Sequence, residues 1–74
     1  MRPKTPEVLV ALRDHAAGPE NSVRAGVLAR KIGLPPRIVS NALNWLVTEG
    51  RNPNVRRERE PRASWYKYWW VEKP

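Results

Sequence analysis

The sequence predicts an α+β fold in which three helices precede a C-terminal β-hairpin. Apolar residues recur at helical spacing in three segments, at about 6–17, 25–32 and 36–49. Glycine and proline residues separate these segments. Over about 55–71 the pattern changes to the two-residue alternation of strands. A chain of 74 residues has room for one core, so we expect a single domain over 5–74, preceded by a flexible N-terminus over 1–4.

The first helix is predicted from its start signals. Thr5 offers a hydroxyl cap, Pro6 suits the first helical position, and Glu7 places negative charge at the positive end of the helix dipole. Gly18 and Pro19 should stop the helix. Its apolar stripe consists of Val8, Leu9, Leu12 and Ala16.

A short strand at Ser22 and Val23 is expected to lead into the second helix, which should end at Gly33. The apolar stripe of this helix comprises Ala25, Leu28, Ala29 and Ile32. Leu34, Pro35 and Pro36 then form a tight turn. The pattern is that of two helices joined by a turn.

The third helix should begin at Pro36, because a residue that precedes proline avoids the helical region. We expect it to run to Glu49, with Gly50 as the C-terminal cap. One arc of the helix forms the core seam with Val39, Ala42, Leu43 and Leu46, with Val47 at its edge. The opposite arc holds Arg37, Asn41, Asn44 and Thr48, with Ser40 at its edge.

The polar arc of the third helix suggests recognition of nucleic-acid bases. Asparagine can make paired hydrogen bonds to adenine, and arginine can make them to guanine. The plain alternative is an ordinary solvated helix face. Asn41 and Asn44 have below-average helix propensity, which favours a role other than helix stability.

The predicted hairpin is basic on its first strand and aromatic on its second. Arginines occupy positions 56, 57 and 59, and we expect Glu58 and Glu60 to form ion pairs with them. The tip spans 61–64, and the return strand over 65–71 is aromatic on both faces. A hairpin on a helical core needs only one apolar face. The second aromatic face should therefore be covered by Trp45 and Ile38, by a partner, or by a second copy of the chain. The candidate partner interface is therefore Trp45, Trp65, Trp69 and Trp70.

Composition limits the classes of function. Fourteen lysines and arginines against seven acidic residues give a net charge of +7, which favours a polyanionic partner, although a ribosomal or membrane-surface partner would fit the charge as well. Without cysteine, and with His15 as the single histidine, the sequence offers no disulfide, no thiolate site and no catalytic acid-base pair. We expect a binding protein rather than an enzyme, with no cofactor, no metal and no evident small-molecule ligand.

Localisation is inferred from the lack of membrane and export signals. No apolar run approaches the roughly 20 residues that span a bilayer, and the first residues lack the apolar core of a signal peptide. The expectation is a cytoplasmic, nucleoid-associated protein that does not contact membranes.

The segment 25–50 resembles the helix-turn-helix of bacterial winged-helix regulators of the MarR, ArsR and Lrp type. The positions that match are Leu28, Ala29, Ile32, Gly33, Leu34, Val39, Leu43, Leu46 and Gly50, and the segment 55–57 with the aromatic strand resembles the wing. Two features depart from the family pattern. Pro35 stands where a Ser or Thr usually caps the recognition helix, and the segment 51–54 lengthens the connection to the wing.

This resemblance implies a winged helix-turn-helix that binds double-stranded DNA, with helix 36–49 in the major groove and the basic wing on the backbone or in the minor groove. The implied DNA-binding residues are Arg24, Arg30, Lys31, Pro36, Arg37, Ser40, Asn41, Asn44, Arg57, Arg59, Arg62 and Lys67. A chain this small would act as a transcriptional regulator, such as a phage or prokaryotic repressor, or as an excision or architectural factor. A homodimer is one way to extend its short DNA site.

Of three other interpretations, two stay open and one is rejected. A protein-interaction module docking through the tryptophans and an RNA- or ribosome-associated module both remain open. Arg37, Asn41, Trp45 and the segment 61–65 imitate the recognition residues of winged-helix proteins that bind Z-form nucleic acid. That resemblance fails in register, because aligning the apolar seam puts Asn44 at the aromatic position.

Overall fold

The computed structural model describes residues 4–73. The expected α+β class with three helices is confirmed, and the strands form a three-stranded antiparallel sheet. The helices are α1 (Thr5–His15), α2 (Ala25–Ile32) and α3 (Pro36–Val47), and a 3₁₀ turn (Pro19–Asn21) follows α1. The strands are β1 (Val23–Arg24), β2 (Val55–Arg59) and β3 (Tyr66–Trp70).

The sheet has the order β1-β3-β2, so the aromatic strand β3 lies in the centre. Tyr68 faces Val23 of β1 on one side and Arg57 of β2 on the other. At the far end of β3, the Trp70 N–H donates to the Ala16 carbonyl, 2.7 Å away. The hairpin is therefore joined to the helices through hydrogen bonds on the β1 side of its second strand.

The core lies between the three helices and the sheet. Most of its fully buried side chains come from the apolar stripes that the sequence predicts. The buried apolar residues are Val8, Ala11, Leu12, Ala16, Leu28, Ala29, Val39, Ala42, Leu43, Leu46, Val55 and Tyr68. Burial of these stripes leaves the polar arc of α3 on the surface.

The prediction that Thr5 caps α1 is wrong. The helix begins one residue earlier than expected, since the Val8 N–H donates to the Lys4 carbonyl and Lys4 occupies the cap position. Thr5 is therefore inside the first turn, where it is 1 % exposed. Its hydroxyl has no hydrogen-bond partner among the residues that the structure describes.

The turn between α2 and α3 is closed by Gly33, which has φ of 70° and ψ of 28°. The Leu34 N–H donates to the Ala29 carbonyl across this turn, at 3.1 Å. Glycine adopts this left-handed conformation without the steric cost of a side chain. Pro35 is extended, and α3 begins at Pro36.

The prediction that α3 runs to Glu49 with Gly50 as its C-terminal cap is wrong, because Thr48 occupies the cap position. The helix ends at Val47, and the positive φ, 45°, is found at Arg51. Gly50 has a different role, because a Cβ atom at this position would lie 2.7 Å from the ring of Trp45. The chain needs glycine here for the close approach of an aromatic side chain.

At the N-terminus, the first residue that the structure describes is Lys4. The prediction of a flexible N-terminus falls mainly on residues 1–3, which lie outside the described residues together with residue 74. Lys4 is described, and its ammonium group lies 3.4 Å from the Glu7 carboxylate. Between residues 4 and 73, none of the helices combines the length and the hydropathy needed to span a bilayer.

Candidate nucleic-acid interface

The exposed face of α3 is the centre of the candidate site. Arg37, Ser40, Asn41 and Asn44 are all exposed, while the opposite face is buried in the core. No acidic residue occurs in the helix. A helix held on its apolar side presents this polar row to a partner in a fixed orientation.

The hairpin is joined to this face by Arg57. One terminal nitrogen of its guanidinium donates to the Asn44 side-chain oxygen, 2.9 Å away. The same guanidinium lies over the ring of Tyr66, with its carbon 4.0 Å from the ring centre. A planar cation that is both hydrogen-bonded and stacked has a defined position, so Arg57 sets the distance between the hairpin and α3.

This contact makes the two asparagines unequal. Arginine has only donors, so Asn44 must present its oxygen to Arg57, which leaves one lone pair of that oxygen and the amide group for a ligand. Asn41 takes part in none of the side-chain hydrogen bonds found within residues 4–73. A paired contact to adenine requires both the oxygen and the amide group of the side chain. Asn41 is therefore the residue suited to such a contact.

Arg59 and Arg62 extend the basic surface along the hairpin. Arg59 lies on the same face of β2 as Arg57, because side chains alternate along a strand. Its Nε donates to the Ala63 carbonyl at 3.0 Å, which braces the loop. Arg62 is exposed at the tip. These two side chains continue the positive charge away from α3.

Lys67 lies on the other face of the sheet, together with Glu58 and Arg24, which occupy the same cross-strand row. It forms an ion pair with Glu60 at 3.6 Å. The prediction that Glu60 pairs with an arginine of its own strand is therefore wrong. Lys67, which the sequence analysis counts among the DNA-binding residues, therefore lies on the sheet face away from α3 and Arg57.

Arg24 occupies the junction between β1 and α2, and its guanidinium stacks over Trp65 with a carbon-to-ring distance of 4.2 Å. Arg30 and Lys31 are exposed in the last turn of α2, where positive charge also favours the helix dipole. Pro36 is exposed at the start of α3. Arg30, Lys31 and Pro36 therefore lie around the turn between α2 and α3, whereas Arg24 lies at the opposite end of α2.

The four tryptophans of the candidate partner interface are half-buried. Trp45 and Trp70 pack against the core, and the indole N–H of Trp70 also donates to Glu72 at 2.7 Å. Trp65 is stacked under Arg24, whereas Trp69 lies in the row of Arg56 on the outer face of the sheet. Three of the four tryptophans therefore make contacts within the chain. Ile38, which was expected to help cover the second aromatic face of the hairpin, is 40 % exposed.

Sequence reasoning missed several residues of this region. Tyr66 and Tyr68 lie beside Arg57 and Ser40, and Arg51 and Arg56 line an open depression of about 550 Å³ with Arg57. The alternation of β3 places the two tyrosines on one strand face, but only the register with β2 brings that face to α3. Arg56 could have been found from its place in the basic strand.

Comparison with known proteins adds no assignment, because no family model, no curated protein and no solved structure matches the chain. The fold and the site define an α+β domain whose exposed third helix is joined to a basic hairpin.

Proposed function

We propose that this chain is a winged helix-turn-helix protein that binds double-stranded DNA, with α3 in the major groove. The observation that carries the proposal is the exposed polar face of α3 with the hairpin arginine Arg57 hydrogen-bonded to it. The major groove admits one α-helix, and arginine and asparagine on that helix can reach base edges. Arg37 and Asn41 are the residues assigned to bases.

The hairpin would act on the DNA backbone. Arg57, Arg59 and Arg62 lie on or continue from the strand face that meets α3, so a helix in the groove would bring them close to phosphates. Phosphate contacts add affinity without sequence preference, whereas contacts to bases select the site. The helix would choose the sequence and the hairpin would hold the duplex.

The distribution of charge agrees with this orientation. Glu7 and Asp14 lie on α1, where they pair with Lys4 and Arg13. The face formed by α3 and Arg57 has no carboxylate on the helix itself. A duplex would therefore meet positive charge on the α3 side, and counterion release would drive binding there.

Binding is tested by fluorescence anisotropy with labelled DNA and RNA duplexes of random sequence and equal length, at several salt concentrations. If about six phosphates are neutralised, log K against log salt should have a slope near −5 for DNA. DNA binding with that slope supports the proposal. Absence of DNA binding at low salt would refute it, and preference for the RNA duplex would favour the RNA-associated alternative.

Matched variants separate a defined surface from net charge. Arg37→Ala removes one positive charge from α3, and Arg13→Ala removes one from α1, where Arg13 lies 3.3 Å from Asp14. The first change should reduce DNA affinity by about tenfold and relax the selected sequence, whereas the second should leave both nearly unchanged. Equal losses would mean that net charge alone governs binding.

The cellular role that follows is occupancy of DNA sites, as a small transcriptional regulator or an excision or architectural factor. One such module contacts few base pairs, so a homodimer or a side-by-side array would lengthen the site. Selection of a site from a random pool checks this directly, because a dimer predicts two half-sites at a fixed spacing.

A further inference from the structure

We infer that the cavity at the start of α2 binds a phosphate group. The cavity has a volume of about 310 Å³ and lies between α2, α3 and the end of the hairpin. Its lining includes Arg24, Gly26, Ser40, Ser64 and Tyr68. The inference rests on three properties of this lining: free backbone donors, the unpartnered hydroxyl of a buried tyrosine, and the absence of negative charge.

The backbone donors come from the first turn of α2. The cap residue Arg24 is extended and makes no side-chain cap hydrogen bond. The N–H groups of Ala25 and Gly26, two residues that line the cavity, have no partner within the helix, because the first four N–H groups of any helix lack one. Together with the positive end of the helix dipole, these groups favour an anion.

The side chain of Tyr68 supports the phosphate site independently of the helix. It lines the cavity although it is only 5 % exposed, and its hydroxyl takes part in none of the side-chain hydrogen bonds found within residues 4–73. Among the described residues, Thr5 Oγ1 is the one side-chain atom that is both sealed from solvent and unpartnered, so the unpartnered hydroxyl of Tyr68 still reaches solvent. The open hydroxyl of a buried side chain in a cavity wall is suited to an acceptor that enters that cavity.

The charge of the lining selects an anion. Arg24 is the cation of the lining, Ser40 and Ser64 add hydroxyl donors, and no acidic side chain lines the cavity. Arg24 is held by its stacking over Trp65. A phosphate oxygen can accept from backbone N–H groups, hydroxyls and a guanidinium at once, which makes phosphate the ligand that fits this donor set.

The inference deepens the proposed function and rests on it for the source of the phosphate. Ser40 belongs both to the cavity and to the exposed face of α3. A DNA strand along that face would place one backbone phosphate in the cavity, and this contact would fix the depth of α3 in the groove. Free inorganic phosphate offers the same chemistry, so the experiment has one arm for each source.

The decisive variants are Gly26→Asp and its neutral isostere Gly26→Asn. A Cβ atom at Gly26 would have no neighbour within 4 Å, so both side chains fit. An acid in the first turn favours the helix, so loss of folding does not confuse the result. The aspartate places a carboxylate at the cavity and should exclude phosphate, whereas asparagine should not.

The first arm titrates inorganic phosphate into the free chain at constant ionic strength, with chloride as the control, and follows backbone amide shifts by NMR. We expect saturable shifts at the amides of residues 25 and 26 in the native chain and in Gly26→Asn, and none in Gly26→Asp. Equal behaviour of the two variants, or no shift in the native chain, would overturn the site.

The second arm measures DNA affinity against salt. Gly26→Asp should bind at least about tenfold more weakly than Gly26→Asn, with a slope shallower by about one. Equal DNA affinities would overturn the assignment to a backbone phosphate while the proposed function stands. Phosphate binding without DNA binding would instead refute the proposed function and support a site for free phosphate.

Tyr68→Phe tests the hydroxyl separately. Because the hydroxyl takes part in none of the side-chain hydrogen bonds of the described residues, its removal should leave the folded chain as stable as before. We expect Tyr68→Phe to lower the affinity for inorganic phosphate by about tenfold, as is usual for the loss of a hydrogen bond to a charged group. An unchanged affinity would remove Tyr68 from the site and with it the inference.

Discussion

The contact between Arg57 and Asn44 should stabilise the folded chain measurably, even though it lies at the surface. Arg57→Ala removes a hydrogen bond of 2.9 Å and a guanidinium lying 4.0 Å from the centre of the Tyr66 ring. An intramolecular hydrogen bond contributes about 1 kcal/mol, and an exposed cation–π contact about 0.5 to 1 kcal/mol. The expected loss is about 1.5 kcal/mol, or roughly 6 to 12 °C in Tm for a chain of this size.

The assay is urea unfolding followed by tryptophan fluorescence, applied to Arg57→Ala, Asn44→Ala and the double variant. The coupling free energy between the two positions should be about 1 kcal/mol, because each single change removes the same hydrogen bond. Arg56→Ala is the matched control, since it removes the same charge from the opposite strand face and should change stability by less than about 0.5 kcal/mol. A coupling below about 0.3 kcal/mol would refute the claim that Arg57 positions the hairpin.

Three further changes test the backbone and the core. Thr5→Val should raise the free energy of unfolding by about 1 kcal/mol because it removes a buried hydroxyl without a partner among the described residues, whereas Thr5→Ser, which keeps the hydroxyl, should not. Gly33→Ala should cost about 1 to 2 kcal/mol in urea unfolding, and a neutral result would contradict the left-handed turn, since the added Cβ has no neighbour within 4 Å. Gly50→Ala should cost about 1 to 3 kcal/mol and alter the fluorescence of Trp45, whose ring would lie 2.7 Å from the new atom; unchanged stability and fluorescence would show that the contact is absent.

Burial patterns could be predicted from the sequence because they depend on periodicity. The stripe of α3 with Val39, Leu43 and Leu46 is buried, so the complementary arc had to be exposed. For this reason Arg37 and Asn41 could be named as surface residues before the structure was known. The prediction needed only the helical repeat and the composition of one segment.

Helix ends were predicted less well, because cap rules use few residues whereas the actual ends depend on packing. Thr5 has the right chemistry for a cap, but its side chain is buried and the preceding residue takes the cap position. Gly50 is a typical cap residue, yet its lack of a side chain is used by the ring of Trp45. Neither contact leaves a signal in the local sequence.

The contacts between segments could not be predicted at all. The pairing of Arg57 with Asn44 depends on the register of β2 against β3 and on the angle at which the sheet meets α3. A shift of one residue in that register would move Arg57 to the outer face and bring Arg56 or Glu58 toward α3. The cavity with Gly26, Ser40 and Tyr68 likewise joins three distant segments.

The register of β2 against β3 also gives the polar residues of α3 different roles. Asn44 cannot give its full hydrogen-bonding capacity to a base while its oxygen accepts from Arg57, so it serves mainly to hold the hairpin. Sequence selection would then depend on Arg37 and Asn41, whose side chains take part in none of the side-chain hydrogen bonds of the described residues. It follows that Asn41→Ala should change which DNA sites are selected from a random pool without loss of folding stability, whereas Asn44→Ala should lower stability and weaken binding to all sequences alike. The reverse pattern would assign Asn44 to the bases and require Arg57 to leave it when DNA binds.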